Sequence, residues 1–329
     1  MDRQRKLNWG LLSTARINTA LFPALRESKR NQLLAVASRT ADSAAAYARG
    51  NKIPRAHGSY EDLLTDPEID VVYNSLPNDL HAEWTIRALD AGKHVLCEKP
   101  LALALPEVDA MASAAKKNGR VLAEAFMYRS HPQTREVAQI VSSGGLGALK
   151  ALRGSFTFEQ TRESNFRSNP AQGGGALWDV GCYPVGFMRM LAGAEPLEVF
   201  GWQATGPTGI DETFAGQMRF PGEVFAQFDC SFVLPFHAFM EIIGSEATLI
   251  VPTPFKPGET TKIFITRNGK AQAIKVKGQY LYNGEVEDMA DAILLAKSPR
   301  VGLADSRGNV ATILALFESA RTGKPVSLA

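Results

Sequence analysis

Lys99, Asp179 and Tyr183 have the chemistry to move a proton, and two motifs present them. One is His94-Val-Leu-Cys-Glu98-Lys99-Pro100; the other is Gly173-Gly174-Gly175-Ala-Leu-Trp178-Asp179-Val-Gly-Cys-Tyr183-Pro184. Lys99 stands where a short apolar run stops and a proline turns the chain. Open parallel sheets bind ligands beyond the carboxyl ends of their strands, so a lysine there is placed for chemistry. The alternative is a Glu–Lys pair on a solvated loop. If a helix begins near Leu177, Asp179 and Tyr183 are four residues apart on one face. A carboxylate and a phenol so placed can bracket a substrate hydroxyl. The phenol becomes a usable proton donor when a cation lowers its pKa from about 10, and Lys99 is the candidate cation. The glycines before them let backbone pass close to something bulky. The alternative is a core tyrosine and a turn-capping aspartate.

The elements that must position these groups alternate over the first 125 or so residues. Strands are expected at Leu7 to Leu12, Asn31 to Ser38, Val71 to Ser75, in the short run that ends at Glu98, and at Arg120 to Glu124. Helices are expected at Arg16 to Ser28, Ala41 to Arg49, Tyr60 to Leu64, His81 to Gly92 and Pro106 to Asn118. Crossover helices between strands imply a parallel, doubly wound α/β sheet. After a helix at Pro132 to Ser142, strands dominate from Lys150 to Arg267, with hairpin signals at Phe220-Pro-Gly-Glu223 and Arg267-Asn-Gly-Lys270. Helices at Glu285 to Ala296 and Asp305 to Thr322, the latter capped by Asp305, close the chain. The division is residues 1–125 for the nucleotide-binding domain and 126–329 for a second α/β domain with an open, mostly antiparallel sheet.

The turn after the first strand should carry G-x-G-x-x-G in a dinucleotide fold. Here it reads Ser13-Thr14-Ala15-Arg16-Ile17-Asn18. Small residues still let backbone N–H groups reach a pyrophosphate at a helix N-terminus; Ser13 and Thr14 add hydroxyls, and Arg16 adds charge. A plain strand-to-helix turn is the alternative. The second strand ends Ser38-Arg39-Thr40 without the acid that grips the ribose hydroxyl of NAD. Arg39 can cover a 2′-phosphate with its planar fork, and two hydroxyls can donate to it. NADP is therefore favoured over NAD, with Asp42 in the following helix as the dissenting acid. Ser75, Leu76, Pro77, Asn78 and His81 at the next strand end, with Glu98 and Lys99, complete the expected cofactor side. Substrate contacts are expected from Arg129, Arg167, Trp178 and Asp179. Arg162 and Arg167 flank a polar loop, Trp84 is either cleft or core, and His131 and His237 have no partner pattern.

Bulk composition excludes several classes. The 329 residues are 45% apolar, enough for two domains with sizeable cores, and net charge is +2 with both signs dispersed, which disfavours nucleic acid. No apolar stretch approaches about 18 residues, so no membrane span is expected, and polar residues interrupt the segment after the basic start, so no signal peptide is expected. Cys97, Cys182 and Cys230 are odd in number and widely spaced, which fits a reducing cytoplasm. No metal-ligand spacing occurs, so no metal is expected.

Taken together, Val95-Leu-Cys-Glu98-Lys99-Pro100-Leu101, Leu80-His81-Ala-Glu and Gly174 to Pro184 resemble the glucose–fructose oxidoreductase/inositol dehydrogenase/MocA family nearly end to end, through Asp305-Ser-x-Gly-Asn309. Within it, Ser38-Arg39, Ala125-Phe-Met127-Tyr-Arg129-x-His131-Pro132 and tyrosine at 183 resemble a subgroup. That subgroup contains NADP-dependent D-xylose dehydrogenases, dimeric dihydrodiol dehydrogenases and sugar ketoreductases. The resemblance implies a Rossmann domain, a C-terminal sheet that often forms a dimer interface, and a cis peptide before Pro100. It implies Lys99 and Tyr183 as the catalytic pair and Asp179 as the group that orients substrate. Hydride transfer between a sugar or polyol carbon and nicotinamide follows. The departure is the missing glycine turn. The alternatives are a glycosidase that uses a retained nicotinamide and a protein that senses NADP without turnover.

Overall fold

The structure, a computed structural model, describes residues 5–160 and 166–328. The chain forms two compact units: residues up to Ser130 with Tyr282–Ser306, and His131–Leu281 with the residues from Arg307 on.

In the first unit β1 (Leu7–Leu12), α1 (Asn18–Glu27), β2 (Asn31–Ala37), α2 (Ala41–Asn51), β3 (Arg55–His57), α3 (Tyr60–Thr65), β4 (Val71–Asn74), α4 (His81–Asp90), β5 (His94–Glu98), α5 (Leu105–Asn118) and β6 (Leu122–Ala125) follow one another. The strands pair in parallel in the order β3-β2-β1-β4-β5-β6. This is the Rossmann order, and it reverses between β1 and β4. Every residue of β1 and β4 is buried, as a sheet covered on both faces requires. At the reversal Leu12 pairs with Asn74, which brings the next residues, Ser13 and Ser75, side by side. β3 was not anticipated, because three residues are too few to show a period.

The second unit holds α6 (Pro132–Ser142), β7 (Leu149–Thr157), α7 (Cys182–Ala192), β8 (Glu198–Thr205), β9 (Asp211–Phe220), β10 (Val224–Ser231), β11 (His237–Gly244), β12 (Thr248–Val251), β13 (Thr260–Arg267) and β14 (Lys270–Lys277). With β15 (Val326–Ser327) these strands form one sheet, β14-β13-β12-β11-β7-β10-β9-β8-β15. It is antiparallel except where β10 runs parallel to β7. β9 shows the one-sided burial of such a sheet: Phe214, Gly216, Met218 and Phe220 are buried while Ala215, Gln217 and Arg219 are exposed. Asn268 and Gly269 have φ of 51° and 73°, the paired positive angles of the hairpin that Asn-Gly foretold.

After β14 the chain returns to the first unit as α8 (Asn283–Leu295), and α9 (Leu303–Thr322) follows. A linear boundary at 125/126 cannot express this return. Asp305 was expected to cap the last helix. That helix instead starts at Leu303, and Asp305 in its first turn pairs with Arg129. No helix among the described residues is long and apolar enough to cross a membrane. The three cysteines are buried and none forms a disulfide.

Candidate active site

The turn between β1 and α1 is built by side chains where a dinucleotide fold expects glycines. Ser13 has φ of 123°, a region L-residues rarely enter, at a cost on the order of 1–3 kcal/mol. A local network offsets that cost. Ser13 Oγ lies 3.0 Å from Ser75 Oγ, which donates to Asn18 Oδ1 at 2.6 Å, while Asn18 Nδ2 donates to Ser13 O at 2.8 Å. Ala15 N donates to Ser13 Oγ at 3.1 Å, and the Tyr47 hydroxyl reaches Ala15 O at 3.3 Å. The helix starts at Asn18 rather than Arg16, with no side-chain cap and no acid in its first turn. An uncapped N-terminus without acid fits an anion such as a pyrophosphate. Thr14 and Ala15 are half-buried, and Arg16 and Ile17 are exposed on the turn. Asn18, fully buried, was missed as a site-building residue, because asparagine in a glycine position reads as a defect.

At the end of β2, Ser38 is buried while Arg39 and Thr40 are exposed. Thr40 caps α2 by accepting from Ser43 N at 3.3 Å. Asp42 lies in the first turn of α2. Arg39 bears electrostatically on Tyr60, lowering a phenol pKa that burial raises.

Lys99 is half-buried, and the Lys99–Pro100 peptide is cis. Glu98 accepts from the Tyr73 hydroxyl through Oε1 and from Lys99 N through Oε2 at 3.2 Å. His81 is fully buried, with Nδ1 2.7 Å from Pro100 O and Nε2 2.9 Å from Leu76 O. Both ring nitrogens therefore face backbone carbonyls, and a neutral ring donates its one N–H to one of them. Burial lowers its pKa, against the pull of the two carbonyls. In the loop between, Ser75, Leu76 and Asn78 are buried and Pro77 is half-buried.

The glycine motif has a local explanation. A Cβ on Gly174 would meet Arg167 O at 2.5 Å, and one on Gly175 would meet Asp211 Oδ1 at 1.9 Å. The bulky neighbours that the glycines admit are thus parts of this chain. Gly175 N donates to Arg167 O at 2.9 Å, and Arg167 Nε donates to Asp179 Oδ2 at 2.6 Å. Two expected substrate contacts are therefore an ion pair with each other. Leu177–Gly181 is a π-helical turn that runs into α7, so Asp179 and Tyr183 do not have the α-helical spacing that the sequence suggested. Asp211 Oδ2 accepts from Leu177 N at 2.6 Å and serves the start of that turn. Burial pushes its carboxyl up to about 7. Sequence reasoning missed Asp211, which lies a whole strand away and carries no motif. Tyr183 is buried, its ring 5.3 Å from Phe156 in edge contact and 5.6 Å from Phe255.

Other candidates resolve into packing. The Arg129 guanidinium, 10% exposed, pairs with Asp305 at 2.7 Å. Trp178 is buried with its ring 5.8 Å from Phe317, a core contact. Trp84 packs edge-on against Tyr60 at 4.9 Å. His131 caps α6, accepting from Gln133 N at 3.1 Å. Arg162 lies outside the described residues.

The parallel sheet in Rossmann order, reversing between β1 and β4, is the topology of a dinucleotide-binding domain. Residues 7–126 match the model for the oxidoreductase family with NAD-binding Rossmann fold, and 134–250 match the GFO/IDH/MocA C-terminal domain. The chain belongs to the GFO/IDH/MocA oxidoreductase family. It is 34% identical to a D-xylose 1-dehydrogenase (NADP(+)) of Haloferax volcanii, over 97% of this chain and 99% of that one. An aldose-aldose oxidoreductase from Caulobacter crescentus, crystallised with glycerol, superposes with a TM-score of 0.91 at 27% identity, covering 98% of this chain and all of that one. A 3-ketoreductase from Actinomadura kijaniata, with NADP and TDP-benzene, gives 0.90 at 28% identity, covering 96% and 98%.

Proposed function

We propose that this protein is an NADP-dependent dehydrogenase of sugars, oxidising an aldose at its first carbon. The observation that carries the reading is the end of β2, where Ser38, Arg39 and Thr40 stand without an acid. Two similar proteins with NADP, one acting on D-xylose, support it. The turn from Ser13 to Ile17 would hold the pyrophosphate, Ser38 to Thr40 the 2′-phosphate, and Ser75 to Asn78 with Glu98 the nicotinamide side. Bound NADP supplies the acceptor for a hydride from the sugar carbon. Tyr183 takes the hydroxyl proton as that hydride leaves, and the Lys99 charge stabilises the phenolate. Asp179, held by Arg167, orients the substrate hydroxyl. In the reductive direction Tyr183 returns the proton to the forming alkoxide.

The expected result is a net absorbance change at about 340 nm with NADP and members of an aldose panel. No change with any sugar, together with release of free sugar from an aryl glycoside, would replace the dehydrogenase by a glycosidase. NADP binding without either activity would favour a sensor. Arg39→Asp is expected to weaken NADP about 30-fold and NAD less than about 3-fold, by titration of protein fluorescence, since a charge-assisted bond to the 2′-phosphate is lost. Equal weakening of both cofactors removes Arg39 from that role.

A further inference from the structure

The peptide joining Pro100 to Leu101, immediately after Lys99, is bonded at both poles. Its carbonyl oxygen lies 2.7 Å from His81 Nδ1, and its N–H donates to Glu124 Oε1 at 2.8 Å. His81 opens α4 and Glu124 lies on β6, so the two grips come from separate elements of the first unit. Both side chains are buried, at 0% and 3% exposure. A peptide plane held at one pole can swing about that bond. Held at both, it cannot turn without breaking one. Proline fixes its own φ, which leaves little freedom between this plane and Lys99. On the other side, Lys99 N–H is held by Glu98, itself held by Tyr73.

We propose that His81 and Glu124 are positioning residues for Lys99, acting through the Pro100–Leu101 peptide. The proposal rests on the role given to Lys99 above. A buried carboxylate is costly where an apolar residue would pack. Burial pushes Glu124 up to about 7, with Ser306 and the Leu101 N–H pulling it back. A group held at that cost with the Leu101 amide as one of its two partners serves orientation. His81 Nε2 faces Leu76 O at 2.9 Å, and a neutral ring donates its one N–H to either that carbonyl or Pro100 O, the tautomer with Nδ1–H being the one that grips the lysine turn.

The test compares Glu124→Met and His81→Phe, which attack opposite poles, with Glu124→Gln, whose carbonyl oxygen still accepts from Leu101. The Met and Phe variants are expected to lose about 10-fold in kcat, with KM and NADPH affinity within about 3-fold of the parent; Glu124→Gln is expected to keep most of kcat. Either pole suffices, so one misfolded variant does not remove the test. Labelling of Lys99 by limiting acetic anhydride, read against exposed Lys116 by mass spectrometry, needs no turnover. Its ratio is expected to change about 3-fold or more in the Met and Phe variants and to hold in Glu124→Gln. If the parent oxidises no sugar, the proposed function fails while the labelling still decides the positioning role. Parent-like kcat and labelling in the Met and Phe variants overturn the proposal. So does a Glu124→Gln variant as damaged as Glu124→Met.

Discussion

Replacing Tyr183 by phenylalanine is expected to cut kcat about 1,000-fold, within the range for loss of a positioned proton donor. NADP affinity and melting temperature are expected to stay near those of the parent. The ring keeps its contacts with Phe156 and Phe255, and only the hydroxyl is removed. The substitution therefore separates two roles that burial alone leaves mixed. A tyrosine present for packing loses nothing as phenylalanine; one that moves a proton loses nearly everything. Lys99→Met is expected to fall as far, and the double variant little further, because residues acting as a unit are not additive. Steady-state kinetics with a sugar that the parent oxidises gives the answer. A Tyr183→Phe enzyme with parent kcat would sink the catalytic role of that residue.

The second large effect is on stability. Asp211 titrates near 3.8 when unperturbed, and burial lifts it to about 7 in the fold. Through that window the folded chain holds a proton that the unfolded chain has released, so stability falls as pH rises from about 4 and levels off above about 7. Between about pH 5 and pH 8 the separation is worth about 3 kcal/mol. Asparagine keeps an oxygen for Leu177 N and does not ionise. Asp211→Asn is therefore expected to lose about 3 kcal/mol less than the parent across that interval, in urea unfolding at the two pH values. An unchanged difference would mean that Asp211 ionises normally in the fold.

The readable parts of this chain were those written in neighbouring residues. Strand β1 and helix α6 could be placed from local pattern, and the ranges Leu7–Leu12 and Pro132–Ser142 agree with the structure to the residue, as does the end of β5 at Glu98. What could not be read depends on partners far along the chain. The π-helical turn at Leu177–Gly181 looks like ordinary helix in a 3.6-residue pattern, and its anchor, Asp211, comes from another strand. Arg129 reads locally as a substrate contact or a bridge between domains, and its partner Asp305 comes from far along the chain. His81 reads from its junction as a cofactor-side group or a simple helix-start histidine; that its ring lies between two carbonyls depends on loops the local pattern does not place. The turn at Ser13 reads as a broken fingerprint; its network needs Ser75, which only the reversal of strand order brings alongside.

The return of α8 to the first unit bears on how the protein is made. Arg30, just before β2, pairs with Glu287 at 2.5 Å and Asp291 at 2.6 Å, both on that helix. Glu285, on the same helix, is buried and bears on Tyr73 and Glu98 behind the lysine turn. A ribosome must therefore build all of the second sheet up to β14 before the first unit receives its last helix. The earliest-translated half waits, unfinished, for some of the latest residues, and a fragment ending at Ser130 would expose the surface that α8 covers.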